Sequence, residues 1–255
     1  MKKCWKPTWG EVWPMPETIE TRPLVLGLEN VHTHIDQHHI LQGVSLDVAA
    51  GGATILLGRN GAGKSTTLKS VMGLLPISQG QIFFNGQSIE ASKPYEIARM
   101  GMGFVPEDKA VLSTLTVAEN FRLSMFRETE KSHEKLEGVL DLFPALKKFW
   151  KRQAGLLSGG QKQMLAIARV LVCDHTLLLI DEPSKGLAPI VVDQLAESLI
   201  QIKDKTKVIL VEQNFRLAQK VGSDCFILDD GRVVFHSSMD ELSRDKTMMK
   251  KYLGI

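Results

Sequence analysis

The chain is short of cysteine, of long apolar runs and of net charge, and each shortage excludes a class of protein. Its three cysteines, Cys4, Cys173 and Cys225, are odd in number and far apart, with no metal-ligand spacing. They read as free thiols in a reducing compartment, not as a disulfide framework or a zinc site. No stretch approaches the ~20 consecutive apolar residues that a membrane-spanning helix needs. The opening Met1-Lys2-Lys3-Cys4-Trp5-Lys6-Pro7 lacks the apolar core of a secretory signal. The expectation is a soluble, cytoplasmic protein that reaches any membrane through a partner. Against 31 basic side chains stand 29 acidic ones, spread along the length for a formal charge of +2. A dedicated nucleic-acid binder would concentrate its basic residues in a patch or stripe. No repeat of solenoid or propeller period is present.

What remains is an ordinary globular composition, 44% hydrophobic and 24% charged over 255 residues. That length fits one large α/β domain or two small ones. Residues 1–23 stand apart, holding three of the four tryptophans and prolines at 7, 14, 16 and 23. They are expected to form an extension outside a main domain of residues 24–255. Trp5, Trp9 and Trp13 are spaced to share a helix face suited to a membrane interface or a permease. Pro7 between them opposes that helix, and a tail without a docking role stays open as the other reading.

Along the main domain, Val25–Val31 and Ile40–Val48 have strand character. Thr54–Leu57 is a short continuous apolar run, as a strand buried on both faces would be. A Gly-rich loop and a helix from about Lys64 follow. Gln81–Phe84 is strand-like and ends in the Asn85-Gly86 turn. Helical patterns run from Val117 to Trp150 and from Ser158 to Cys173. Leu177–Ile180 and Val208–Val211 are further buried strands, and Phe226–Phe235 reads as a hairpin turning at Asp230-Gly231. The fold class is therefore α/β: a mostly parallel sheet, antiparallel strands at the front, and a helical insertion over about residues 108–173.

Gly58-Arg59-Asn60-Gly61-Ala62-Gly63-Lys64-Ser65-Thr66 matches G-x-x-x-x-G-K-[ST]. The glycines let successive backbone N–H groups turn into one cavity, and the following helix adds its positive end. Lys64 brings a full charge to β and γ phosphates, and the Ser65 hydroxyl is a Mg²⁺ ligand. Leu177-Leu178-Leu179-Ile180-Asp181-Glu182 is an apolar strand ending in two acids at the carboxyl edge of the sheet. Asp181 is placed to hold Mg²⁺, and Glu182 to polarise an attacking water.

Leu157-Ser158-Gly159-Gly160-Gln161 opens another helix. Ser158 is its N-cap, Gln161 completes an S-x-x-Q capping box, and the two glycines leave the helix start bare for a phosphate. With these three motifs in this order, residues 25–255 resemble the ABC ATPase family of P-loop NTPases. That resemblance implies a head-to-tail dimer in which the signature of one domain completes the ATP site of the other.

Finer features narrow it. Glu107, in Gly103-Phe104-Val105-Pro106-Glu107, stands at the usual Q-loop glutamine. Ala188 stands where an aspartate is common. Gln213, in Val211-Glu212-Gln213-Asn214, stands at the usual switch histidine. With the tail Leu242–Ile255, these look like LivF-type ATPases of branched-chain (hydrophobic) amino-acid importers. Implied are ATP and Mg²⁺ as cofactors, with Ser65, Asp181 and Glu107 toward the metal and Glu182, Gln213 and Lys64 catalytic. Also implied are a sister ATPase (or a homodimer), two permease subunits met by the surface between Glu107 and Phe126, and indirectly an external solute-binding protein. The protein would sit peripherally on the cytoplasmic face of the inner membrane, without nucleic acid. Importers of urea, amides or aromatic acids, and non-transport ABC ATPases, are the alternatives. The aromatic that usually stacks on adenine falls at His34 or Ile35. His34 belongs to a group with His32, His38 and His39 whose spacing fits no structured metal site.

Overall fold

The computed structural model describes residues 24–125 and 129–255. The tryptophan-rich extension and Phe126 lie outside them. Strands β1 (Leu24–Ile35) and β2 (His38–Ala49) form a long hairpin. Then come β3 (Ala53–Leu57), α1 (Lys64–Val71), β4 (Gln79–Phe84), β5 (Gln87–Ser88), α2 (Pro94–Arg99) and β6 (Met102–Val105). Helices α3 (Val117–Ser124), α4 (Glu130–Leu142), α5 (Pro144–Lys148) and α6 (Gly159–Leu171) follow. The remainder alternates as β7 (Leu177–Asp181), α7 (Pro189–Lys203), β8 (Lys207–Val211), α8 (Phe215–Val221), β9 (Asp224–Asp229), β10 (Arg232–Ser238) and α9 (Met239–Arg244).

Among the described residues the strands make two sheets, an antiparallel one ordered β2-β1-β4-β5 and a six-stranded one ordered β10-β9-β3-β8-β7-β6. In the second, every pairing is parallel except β9 with β10. Its central strands are apolar on both faces because each separates two cores. Leu56, Leu177, Leu179, Ile209 and Val211 pack toward the antiparallel sheet and α1. Their neighbours Ile55, Leu57, Leu178, Ile180, Val208 and Leu210 pack toward the helices on the other side. The period of two thus sends successive residues to different cores, and no position faces water.

The hairpin extends further than the expected strands, which stopped at Val31 and began at Ile40. Pairing continues through His32↔Gln42, Thr33↔Leu41 and His34↔His39. Thr33 is fully buried there, with its hydroxyl 2.9 Å from that of Ser70. A hydroxyl satisfied by another can occupy a core position, and it hides the strand from a hydrophobic pattern.

The helical patterns expected from Val117 to Trp150 resolve into three helices. Pro144 opens α5 and lacks the N–H that α4 would need to continue, and Phe143 before it has left helical geometry. The buried faces of α3 to α6 join the same core as β7 and β8, so the inserted helices are held by the main sheet. Asn120, fully buried in α3, pins the loop before it, accepting from Leu112 N at 3.1 Å and donating to Leu112 O at 3.0 Å. No helix of the described residues is long and apolar enough to cross a membrane.

Candidate functional site

The ends of β3, β7 and β8 bring the predicted residues to one edge of the six-stranded sheet. After β3 the chain turns at Gly58 with φ 147°, and a Cβ there would lie 2.3 Å from the Leu228 carbonyl oxygen. Only glycine fits that close approach. The loop ends at α1, whose first residue, Lys64, is 4% exposed. Its ammonium donates to Gly58 O at 2.9 Å and Arg59 O at 3.0 Å, and lies 3.5 Å from Glu182 Oε1. A buried ammonium is tolerable only with such partners. The next residue, Ser65, donates to Asp181 Oδ1 at 3.0 Å.

Glu182 leaves β7 with φ 43°, a left-handed conformation that costs a non-glycine residue roughly 1–3 kcal/mol. The bend turns its carboxylate to the Gln213 amide at the end of β8, which donates to Glu182 Oε1 at 2.6 Å and also to Asn60 Oδ1. Lys185 reaches in from the segment after Glu182, with its ammonium 2.5 Å from Glu107 Oε1 and 3.8 Å from Glu182 Oε2. The bond to Glu107 holds the Lys185 pKa above the ordinary lysine range. Burial raises that of Asp181, and the nearby Glu182 and Glu107 carboxylates add to the rise against the Ser65 bond.

An open cavity of about 300 Å³ lies among these groups, with Lys64, Ser65, Thr66, Glu107, Glu182 and Lys185 in its wall. The same wall holds Ile35 and Ile40, from the tip of the β1–β2 hairpin. His34 is absent from it. Its ring stacks on His39 at 4.2 Å and its Nδ1 lies 3.1 Å from the Ser78 hydroxyl. Strand alternation sends neighbours to opposite faces, so the apolar surface offered to the cavity is Ile35 with Ile40. Of the two positions left open for contact with adenine, Ile35 lines the cavity and His34 does not.

The helix start at 158–161 has the expected capping box. Ser158 Oγ accepts from Gln161 N at 3.3 Å, and Gln161 Oε1 accepts from Ser158 N at 3.0 Å. The two glycines differ, however. A Cβ on Gly160 would come 2.5 Å from Val191 Cγ1 on α7, whereas one on Gly159 would meet nothing nearer than Leu187 at 4.0 Å. Gly160 is required by packing, and Gly159 is the exposed one. None of Ser158, Gly159, Gly160 or Gln161 lines the 300 Å³ cavity.

The family model described as ABC transporter matches residues 41–185. This chain belongs to the ABC transporter family. A probable branched-chain amino acid transport ATP-binding protein LivF of Archaeoglobus fulgidus is 36% identical to this ABC ATPase, covering 85% of the chain and 93% of the relative. The high-affinity branched-chain amino acid transport ATP-binding protein BraG of Pseudomonas aeruginosa is 37% identical, covering 90% and 100%. A lipopolysaccharide export system ATP-binding protein LptB of Acidithiobacillus ferridurans is 31% identical, covering 84% and 90%. A nucleotide-free ATP-binding cassette from an ABC transporter shares the fold, with a TM-score of 0.80 at 22% identity over 91% of this chain and 99% of the other.

The family is a nucleotide-binding one, and the donors present suit a polyphosphate: a buried ammonium inside a loop of backbone N–H groups at a helix start. Ser65, Asp181 and Glu107 are hard oxygen donors fit for Mg²⁺. Among the described residues no three His, Cys, Asp or Glu are grouped to hold a metal by themselves. Mg²⁺ would therefore take further ligands from phosphate and water, as that ion commonly does.

Two residues at this edge had no place in the sequence argument. Lys185 was visible only as part of the run after Glu182, and no periodicity marks it. Glu212, 2% exposed, stood beside Gln213 unremarked.

Proposed function

We propose that this chain is the ATP-hydrolysing subunit of an importer for branched-chain or other hydrophobic amino acids, working beside permease subunits at the cytoplasmic face of the membrane. The hydrolytic part is supported above all by one observation: Lys64, Ser65, Asp181, Glu182 and Gln213 converge from three strand ends on one cavity wall or its immediate border. The solute is supported by the 36–37% identity to the LivF and BraG proteins, together with Glu107 and Gln213 at their unusual positions.

In this reading Lys64 neutralises the β and γ phosphates of ATP. Ser65, Asp181 and Glu107 hold Mg²⁺, which when bound withdraws charge from the phosphate oxygens. Glu182 orients the attacking water and accepts its proton. Gln213, donating to Glu182 Oε1, keeps that carboxylate aimed. Residues 158–161 lie outside the cavity, which supports a second ATPase domain, sister or identical, contributing its own signature segment to this site. The loop and α3 surface from Glu107 toward Phe126 faces the permeases in this proposal.

Reconstitution tests the whole. With the permeases and binding protein of a branched-chain amino-acid importer, the chain should drive ATP-dependent leucine uptake into vesicles and hydrolyse faster than alone. Absence of both effects would overturn the importer assignment, and stimulation by a lipopolysaccharide-export membrane pair would redirect it.

Gln213 gives a second expected result. A neutral amide stabilises developing phosphate charge less than a charged donor, and charge-assisted hydrogen bonds are roughly twice as strong. Gln213→His should raise single-turnover hydrolysis at this chain's own site, by on the order of 10-fold near pH 6.5, where a histidine is half charged. An unchanged rate in a folded variant would show that the glutamine does not limit the site.

A further inference from the structure

Glu212 is a carboxylate at the end of β8 with 2% of its surface exposed, lying outside the cavity wall. A charged carboxylate taken out of water costs several kcal/mol unless hydrogen bonds replace its hydration. Four donors do so here. Oε1 accepts from Ser184 N at 3.0 Å. Oε2 accepts from Ser184 Oγ at 2.9 Å, Asn214 N at 3.1 Å and Gln213 N at 3.2 Å. Burial raises the Glu212 pKa, and these four bonds act against the rise.

The donors come from two separate segments. Ser184 lies two residues past Glu182, on the chain leaving β7. Gln213 and Asn214 lie on the chain leaving β8, where the Asn214 side chain also caps α8 by accepting from Leu217 N at 3.2 Å. A backbone bond from Glu182 N to Val211 O, 2.9 Å, is the last rung of the β7–β8 ladder. Beyond it the two chains part, and Glu212 is the group that ties them together behind the cavity. On the cavity side of that tie lies the 2.6 Å contact between Gln213 Nε2 and Glu182 Oε1.

We propose that Glu212 is a positioning residue that sets the placement of Glu182 relative to Gln213 by bonding the two segments that carry them. It lies outside the cavity wall and acts through its neighbours. The proposal rests on the ATPase reading above and goes beyond it. Glutamine is the informative substitution, because it preserves volume while turning an NH₂ toward donors that need an acceptor.

The experiment uses the full chain with its cognate membrane partners. Glu212→Gln should lower kcat about 10-fold or more while leaving ATP affinity within about two-fold of wild type. Glu212→Asp, which keeps the charge, should recover part of the loss. In a Glu182→Gln background the Glu212→Gln change should add nothing to the deficit, since the group it positions is already gone. Should Glu212→Gln fail to fold, Ser184→Ala removes one donor and leaves the backbone bonds. It should lower kcat several-fold with affinity unchanged.

Wild-type kcat in either folded variant overturns the proposal. So does a loss that appears equally in ATP affinity, or one that adds fully to that of Glu182→Gln, because each describes general structural damage. If wild type itself shows no hydrolysis with its partners, the ATPase reading fails and this inference falls with it. If wild type hydrolyses and Glu212→Gln matches it, only this inference fails.

Discussion

Exchanging Glu182 for glutamine is expected to leave nucleotide binding intact and to lower hydrolysis by about 10²-fold or more, the range for losing a group that takes a proton from the attacking water. The two side chains have the same shape, so the left-handed turn at residue 182 and the backbone bond to Val211 survive. Gln213 can still donate to the new amide oxygen. What disappears is the charge facing Lys64 at 3.5 Å and the ability to accept a proton. Equilibrium binding of ATP and steady-state turnover, measured on the same preparation, separate the two effects. Turnover at the wild-type level would take the role away from Glu182.

Lys64→Ala should fail at the other step. The ammonium is buried against the Gly58 and Arg59 carbonyls of the loop, and hydrogen bonds to a charged group contribute about 1.5–3 kcal/mol each. Losing two or more such bonds to phosphate corresponds to a fall in ATP affinity of about 10²-fold or greater. The loop itself should hold. Thr67 N donates to Gly63 O at 2.8 Å and Gly231 N to Ala62 O at 3.1 Å without help from the lysine. A thermal melt near that of wild type, with ATP no longer raising it, is the expected signature. Undiminished affinity would mean that the loop's N–H groups carry the phosphates alone.

How much of this was legible in the sequence depended on whether the signal was local. The strands β3, β7 and β8 were readable because burial on both faces leaves unbroken apolar runs. The turn between β9 and β10 was readable because Asp230 and Gly231 both take positive φ, 46° and 72°, which the Asp-Gly pair favours. The capping box at Ser158 and Gln161 lies within four residues and needs no tertiary information.

Other elements answered to partners far away in the chain. β6 is four residues with Gly103 among them, and it is a strand because β7 lies beside it. Helix α7 did carry a signal that went unread, with Pro189 in its first turn and Val192, Leu195, Ala196, Leu199 and Ile202 buried at helical spacing. The site divides the same way. Lys64, Ser65, Asp181 and Glu182 announced themselves through motifs. His34 and Ile35 stood as two alternatives because a one-residue alternation decides which side chain faces the cavity, and Ile35 is the one that lines it. Glu212 was silent because its four donors come from segments that only the folded sheet brings together.

The doubly buried strands carry a consequence for folding fidelity. In a strand with one wet face, slipping by one residue drives apolar side chains into water and is rejected at once. Along β7, the same slip exchanges Leu178 and Ile180 for Leu177 and Leu179, and both cores welcome leucine. The interior therefore barely distinguishes the correct reading frame from its neighbour. Discrimination falls to the polar groups at the two ends of the sheet. At one end Thr176 N donates to Gly101 O at 2.8 Å, and Lys207 donates its ammonium to Gly51 O at the same distance. At the other stand Asp181 on Ser65 and Glu182 on Val211. A slipped chain would carry Asp181 about 3.3 Å along the strand and leave these buried donors and acceptors unmatched. The residues to which we assign phosphate chemistry at this edge thus also serve as the address labels by which each strand finds its place.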